Sequence, residues 1–246
     1  MGRWQDERRR DPWRRQAKAS GYRARSAFKL KQIQRRFELI RPGDVVLDVG
    51  CHPGGWTQVA VELTEGEGKV IGVDLDASQP VDGADLIVGD ITDPATQARI
   101  QAILDGSRIN SVISDIAPDI TGNWTTDQAV AMTLVAQVVD FSLPLLKHGG
   151  NLVTKVFEGV GMSAMIEVLR PHFIKVRRFT PTASRNASSE VYLVARHHRP
   201  VPASMGSVLE RWEALLASDL DPSIDEAPTR TSTFTVRRRS SEQRDS

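Results

Sequence analysis

Lys155 stands inside the apolar run Leu152-Val153-Thr154-Lys155-Val156-Phe157, where a buried strand should carry no charge. A parallel central strand is covered on both faces and reads as nearly continuous apolar residues. Lysine is almost never fully buried unless it is paired. A partner is at hand in Asp115, which ends the segment Ile113-Ser114-Asp115, and Glu190 directly precedes the apolar run Val191-Tyr192-Leu193-Val194. If the strands carrying Lys155 and Asp115 are neighbours, both side chains face one crevice. An isolated buried ion pair would add little stability over an apolar pair, so charges at strand ends beside a ligand loop favour a functional site.

That loop is Gly50-Cys51-His52-Pro53-Gly54-Gly55-Trp56, directly after the apolar run 45–49. In open α/β sheets ligands bind outside the carboxyl ends of the strands, and glycines let the backbone approach them closely. The spacing matches neither the dinucleotide fingerprint G-x-G-x-x-G nor the phosphate-gripping G-x-x-x-x-G-K-[ST]. A nucleoside ligand without a pyrophosphate fits better. Asp74 and Asp90 end the next two apolar runs, where one carboxylate can take ribose hydroxyls and the other an adenine amino group. Cys51 and His52 invite a nucleophile–base reading, but adjacent residues in a tight turn rarely point at each other. Trp56 is either a packing residue at a helix start or a wall of the ligand site.

The elements that must position these residues alternate along the chain. Apolar runs at 45–49, 69–73, 85–88, 111–114, 151–157, 173–179 and 191–195 read as seven strands. Amphipathic segments at 56–63, 94–104, 126–146 and 163–169 read as helices between them. This order predicts an α/β fold, a mostly parallel seven-stranded sheet with helices on both faces. Before it, residues 1–19 read as a basic, mobile arm and 20–37 as a basic helix. After it, 207–217 reads as one amphipathic helix and 218–246 as a disordered tail. The organisation expected is therefore an arm at 1–19, a helix and main domain at 20–199, and a C-terminal appendage at 200–246.

Net charge over the 246 residues is only +1, but it is unevenly spread. Residues 1–41 hold 14 Lys/Arg against 4 Asp/Glu, 42–150 hold 4 against 16, and 151–199 hold 8 against 3. A basic flank on an acidic nucleotide-fold core points to a polyanionic partner, most simply a nucleic acid. One cysteine excludes an internal disulfide framework and fits a reducing cytoplasm. No histidine spacing suggests a zinc site, no apolar run approaches a membrane span, and the N-terminus carries no secretory signal.

The motifs Ala27-Phe28-Lys29-Leu30, Leu47-Asp48-Val49-Gly50, Pro53-Gly54-Gly55-Trp56, Ser114-Asp115-Ile116-Ala117-Pro118, Lys155-Val156-Phe157-Glu158-Gly159 and Ser189-Glu190-Val191-Tyr192, in this order over residues 20–199, resemble the FtsJ/RrmJ family of RNA ribose 2′-O-methyltransferases. The resemblance implies a Rossmann-like class I S-adenosylmethionine-dependent methyltransferase fold. It also implies a catalytic tetrad of Lys29, Asp115, Lys155 and Glu190, with Gly54, Trp56, Asp74, Asp90 and Asp115 contacting S-adenosylmethionine and no metal required. Cys51-His52 stands where many members have two small residues, and Asp119 replaces a common asparagine. The implied reaction is methylation of a ribose 2′-hydroxyl, a uridine of large-subunit ribosomal RNA, by a cytoplasmic monomer.

In that reaction Lys155 orients and deprotonates the hydroxyl or, if it stays charged before substrate binds, steers the hydroxyl while its proton leaves through a carboxylate. Bringing a lysine from about 10.4 to about 7.5 takes roughly 4 kcal/mol. A second cation such as Lys29 at about 4 Å supplies a term of that size, while Asp115 and Glu190 act in the opposite direction. Arg23, Arg25, Lys29, Lys31, Arg35 and Arg36 are expected to hold the RNA backbone. Three rivals stay open: methylation of a tRNA anticodon-loop ribose, a non-catalytic RNA-binding module, and, most distantly, a dehydrogenase, which the loop spacing opposes.

Overall fold

A computed structural model of the 246-residue chain describes residues 12–118, 122–159, 161–184 and 190–220. Two short helices come first, α1 (Pro12–Ala19) and α2 (Ala27–Phe37), followed by β1 (Val45–Val49), α3 (Gly55–Leu63), β2 (Lys69–Asp74), β3 (Ala84–Val88), α4 (Pro94–Leu104) and β4 (Ile109–Ser114). Then come α5 (Trp124–Ser142), β5 (Leu146–Phe157), α6 (Met162–Leu169), β6 (Phe173–Phe179), β7 (Glu190–His198) and α7 (Val208–Leu220). The seven strands form one sheet in the order β3-β2-β1-β4-β5-β7-β6. Only β7 runs against its neighbours, pairing antiparallel with both β5 and β6. The expected fold class and the adjacency of β4 and β5 both hold.

Strand residues alternate between two cores. Leu47, Ile71, Val112, Leu152 and Leu193 face a cluster built on α4, α5, α6 and α7. Val46, Val70, Ile113, Val153, Tyr192 and Val194 face a second cluster built on α1, α2 and α3. Covering both faces is what makes the central strands continuously apolar. It also decides where the charges lie: Asp115, Lys155 and Glu190 share parity with Ile113, Val153 and Tyr192, on the α2 face.

Several boundaries differ from the sequence reading for local reasons. The basic helix begins at Ala27 rather than residue 20, because 20–26 form turns that include Gly21 at φ 76°. Within the expected arm, Pro12–Ala19 is helical, with Ala17 buried and Trp13 packed on Phe28 at 5.4 Å between ring centres. Residues 1–11 lie outside the described residues. Helix α5 stops at Ser142 because Pro144 cannot continue it, and Leu143–Leu145 tightens into a 3₁₀ turn. Thr126–Leu145 is, by length and composition, apolar enough to cross a membrane, against expectation. Here Met132, Val135, Ala136 and Val139 on that segment are buried against the sheet.

Helix α7 packs into the core. Asp140 of α5 accepts hydrogen bonds from Val208 N at 2.6 Å and Leu209 N at 3.0 Å, satisfying donors that begin α7. Trp212 is 3% exposed and donates to Gly161 O at 3.1 Å. The rest of the expected tail, 221–246, lies outside the described residues. Replacing Trp212 by Ala should therefore lower unfolding stability by roughly 3–5 kcal/mol, measured by chemical denaturation. A loss under about 1 kcal/mol would show that α7 is not packed as described.

Candidate active site

The site is assembled by strand register. Lys155 of β5 lies opposite Tyr192 of β7, and Phe157 opposite Glu190. The Lys155 Nζ sits 3.3 Å from Asp115 Oδ1 and donates to the Asp115 carbonyl oxygen at 2.5 Å. From the covering helix, Lys29 Nζ reaches Glu190 Oε2 at 2.7 Å. The two lysine side chains are 8% and 5% exposed. The four residues named from sequence thus form two ion pairs.

Tyr192, which the sequence reading left without a role, joins them. Its hydroxyl donates to Asp115 Oδ1 at 2.7 Å, and Lys29 Nζ lies 5.7 Å from the ring centre. Trp56 stacks on the same ring at 5.6 Å with 30° between planes. Burial, then the Asp115 charge, raises the Tyr192 phenol well above its ordinary range, so it is a neutral donor at physiological pH. A signal was available: Tyr192 stands two residues after Glu190 and so shares its face of the strand.

These pairs are poor candidates for stabilising devices. At 3.3 Å and an effective dielectric near 20, Lys155 and Asp115 attract by about 5 kcal/mol. Taking each ion out of water costs several kcal/mol. The terms nearly cancel, so an apolar pair would serve stability equally well.

Beside Asp115 opens a cleft of about 840 Å³, within the range of small-molecule sites. It lies where the strand order reverses, between β1 and β4. Asp74, Asp90 and Asp115 line it, with Gly50, Gly89 and the exposed Leu75. Asp74 accepts from the amides of His52 at 2.8 Å and Asp76 at 3.0 Å, which fixes the carboxylate. Asp90 Oδ1 accepts from the Thr92 amide and hydroxyl, both at 2.8 Å. A carboxylate offers about four acceptor positions, so both retain capacity for a ligand.

Two residues expected at the cofactor do not line this cleft. Trp56 is 2% exposed, and its indole N–H donates to Ser26 O at 2.8 Å. Its side chain is a packing element; its backbone amide, in the first turn of α3, has no acceptor within the helix. Gly54 precedes that turn at φ 108°, and a Cβ there would come within 2.8 Å of the Arg23 guanidinium. Arg23 itself donates to Pro53 O at 3.4 Å and Gln79 O at 2.5 Å, and to Pro80 O. It clamps loops, where a phosphate contact was expected. Lys31 is likewise engaged, by Glu62 and the Tyr22 hydroxyl.

Cys51 is buried, and burial, then Asp48 and Asp74, pushes its thiol up to about 12, so it is inert as a nucleophile. Among the described residues no group of His, Cys, Asp and Glu could hold a metal. Asp119, noted as a departure, lies outside the described residues.

Beneath the loop, Asp48 is fully buried, with Oδ2 accepting from Thr57 Oγ1 at 2.7 Å and Oδ1 left without a partner. Burial pushes its carboxyl up to about 7; the Asp115 and Asp74 charges add to this and the Thr57 bond opposes it. The folded protein then binds an extra proton between roughly pH 4 and 7, so this group's contribution to stability falls as pH rises through that window. Asp48→Asn should remove the effect. From pH 5 to 8 the wild type should lose about 2 kcal/mol more unfolding stability than the variant. Parallel profiles would contradict a raised Asp48.

Comparison with known proteins follows the same lines. A model of the FtsJ-like methyltransferase family matches residues 22–198. The chain is 43% identical over 197 residues to a ribosomal RNA large subunit methyltransferase E of Marinobacter nauticus, covering 80% of this chain and 95% of that one. It is 40% identical over 203 residues to the enzyme so named in Methanocella arvoryzae, covering 82% and 78%. A crystal structure described as a ribosomal RNA methyltransferase from Plasmodium falciparum superimposes with a TM-score of 0.66 at 26% identity, covering 72% of this chain and 98% of that one.

Proposed function

The chain belongs to the FtsJ-like methyltransferase family, and from that premise we propose that it methylates a ribose 2′-oxygen in large-subunit ribosomal RNA, using S-adenosylmethionine. The observation that carries this is Lys155 Nζ held against Asp115 at the edge of the cleft. The two named relatives favour ribosomal RNA over tRNA, and the complete set of four paired residues favours an enzyme over a binding module. A uridine target and a cytoplasmic monomer are part of the same reading.

The cleft's donor set suits the nucleoside half of the cofactor. Asp74 would take the ribose hydroxyls and Asp90 the adenine amino group. Asp115 would close the side toward Lys155. The amides of Gly55 and Trp56, at the uncapped start of α3, would receive a carboxylate, with Gly54 shaping that turn. When bound, S-adenosylmethionine supplies a sulfonium methyl already activated for transfer.

The protein's task is then alignment and proton management. Lys155 orients the 2′-hydroxyl and, once it has released its own proton to solvent and stands as the free amine, takes the hydroxyl's proton. Asp115, 3.3 Å away, stabilises the ammonium that results. Tyr192 holds the Asp115 carboxylate in place through its hydroxyl, and Lys29 with Glu190 completes the rim over the same ring. Lys155→Ala should cut transfer of labelled methyl to ribosomal RNA by a factor of roughly 10²–10⁴, while cofactor binding by calorimetry stays within a few fold. Label mapped to a base atom, or a variant that still transfers at the wild-type rate, would overturn the assignment.

A further inference from the structure

On the α2 face of β6 and β7, away from the reaction centre, lies a small concavity of about 210 Å³. Its walls are Arg36, Lys175, Arg177 and Arg196, and its floor is Phe37 and Val194. The cations come from three elements. Arg36 ends α2, Lys175 and Arg177 sit at alternate positions of the edge strand, and Arg196 lies opposite Lys175 on β7. Among the described residues, no ion pair joins any of the four to a carboxylate within 4 Å. Arg196 is half-buried, and its Nε is a buried donor with no acceptor.

Basic residues on an edge strand commonly guard against strand-to-strand aggregation. That explains Lys175 and Arg177. It does not explain Arg196, which is on an interior strand, nor Arg36, which is on a helix. Gathering four like charges around one hollow costs electrostatic energy, and a buried donor without an acceptor costs more. An anion in the hollow answers both. The neighbouring His197 reports the same field: partial burial, then Arg196, Lys175 and Arg41, lower its imidazole below the ordinary range.

We propose that this concavity is a second anchor for the RNA substrate, taking a backbone phosphate on Arg36, Lys175, Arg177 and Arg196. The proposal rests on the methyltransferase reading above. Arg196 lies four positions along β7 from Tyr192, the register partner of Lys155, roughly 13 Å along the strand, so the anchored phosphate lies a few nucleotides from the ribose at Lys155. It replaces part of the track expected on α2, where Arg23 and Lys31 are committed to internal partners. Phosphodiester is favoured over an acidic peptide because the arginines present planar donor forks at one point, and the reaction centre already requires an RNA strand along this face.

The test is a double substitution, Lys175→Gln with Arg177→Gln, in the full chain. RNA binding and single-turnover methylation are measured over a range of salt on naked ribosomal RNA and on assembled large subunits. Cofactor affinity equal to wild type certifies folding. The expected result is about tenfold weaker binding of naked RNA near 0.1 M salt. The slope of log K against log salt should shrink by about 0.7–0.9, as one lost phosphate contact requires, and saturating RNA should recover the methylation rate. Unchanged affinity and slope, from protein whose wild type methylates RNA, would overturn the anchor and leave the catalytic reading intact. A loss confined to assembled subunits would place a protein surface there and also overturn it. Wild type that binds no RNA would overturn both readings.

Discussion

Two ammonium groups are held almost out of water, and every other feature of the site answers that fact. Lys155 and Lys29 are each tied to one carboxylate, and neither pair stands alone, because Asp115 is gripped by Lys155 and by the Tyr192 hydroxyl together. The antiparallel insertion of β7 makes this possible. It brings Tyr192 opposite Lys155 and Glu190 opposite Phe157, so a single register sets both pairs. Helix α2 then closes over them, buried through Leu30, Ile33 and Phe37, with Lys29 on the same inward stripe. A slip of one residue in β7 would turn Tyr192 and Glu190 to the other face, leaving Lys29 without its carboxylate and Asp115 without the Tyr192 hydroxyl.

The fold divides its labour by face and by end. The carboxyl ends of the parallel strands carry the cleft, with Asp74 held by backbone amides of its own loop and of the loop after β1, and Asp90 by an amide of its own loop. The α2 face carries positive charge from Lys29 down to Arg196. The opposite face is apolar packing, sealed by α7. The acidic core and basic flanks seen in the sequence thus lie at one end and on one face of a single sheet.

The strands were legible because burial on both faces forces unbroken apolar runs, and Lys155 was legible because it violates that rule. Lys29 had no such signal. In a helix already rich in Lys and Arg its inward position shows only in packing, and it was found through resemblance alone. Tyr192 escaped because an aromatic residue in an apolar strand reads as core, which it also is. Trp56 could be read two ways, and stacking on Tyr192 decides for packing. Helix α7 looked detachable because it lies between Arg199-Pro200 and a polar tail, yet Val208 and Trp212 are buried in the core. Arg23 shows the opposite error: its charge suggested phosphate, but loop carbonyls take its donors.

The central claim is that the two ion pairs act as one unit through Tyr192. Single-turnover methyl transfer by Tyr192→Phe, Lys29→Met and the double variant tests it directly. A unit predicts that the double variant loses clearly less than the product of the two single losses, a coupling of about 1 kcal/mol or more. Losses that simply multiply would show two independent pairs that happen to share a strand, and would contradict the account.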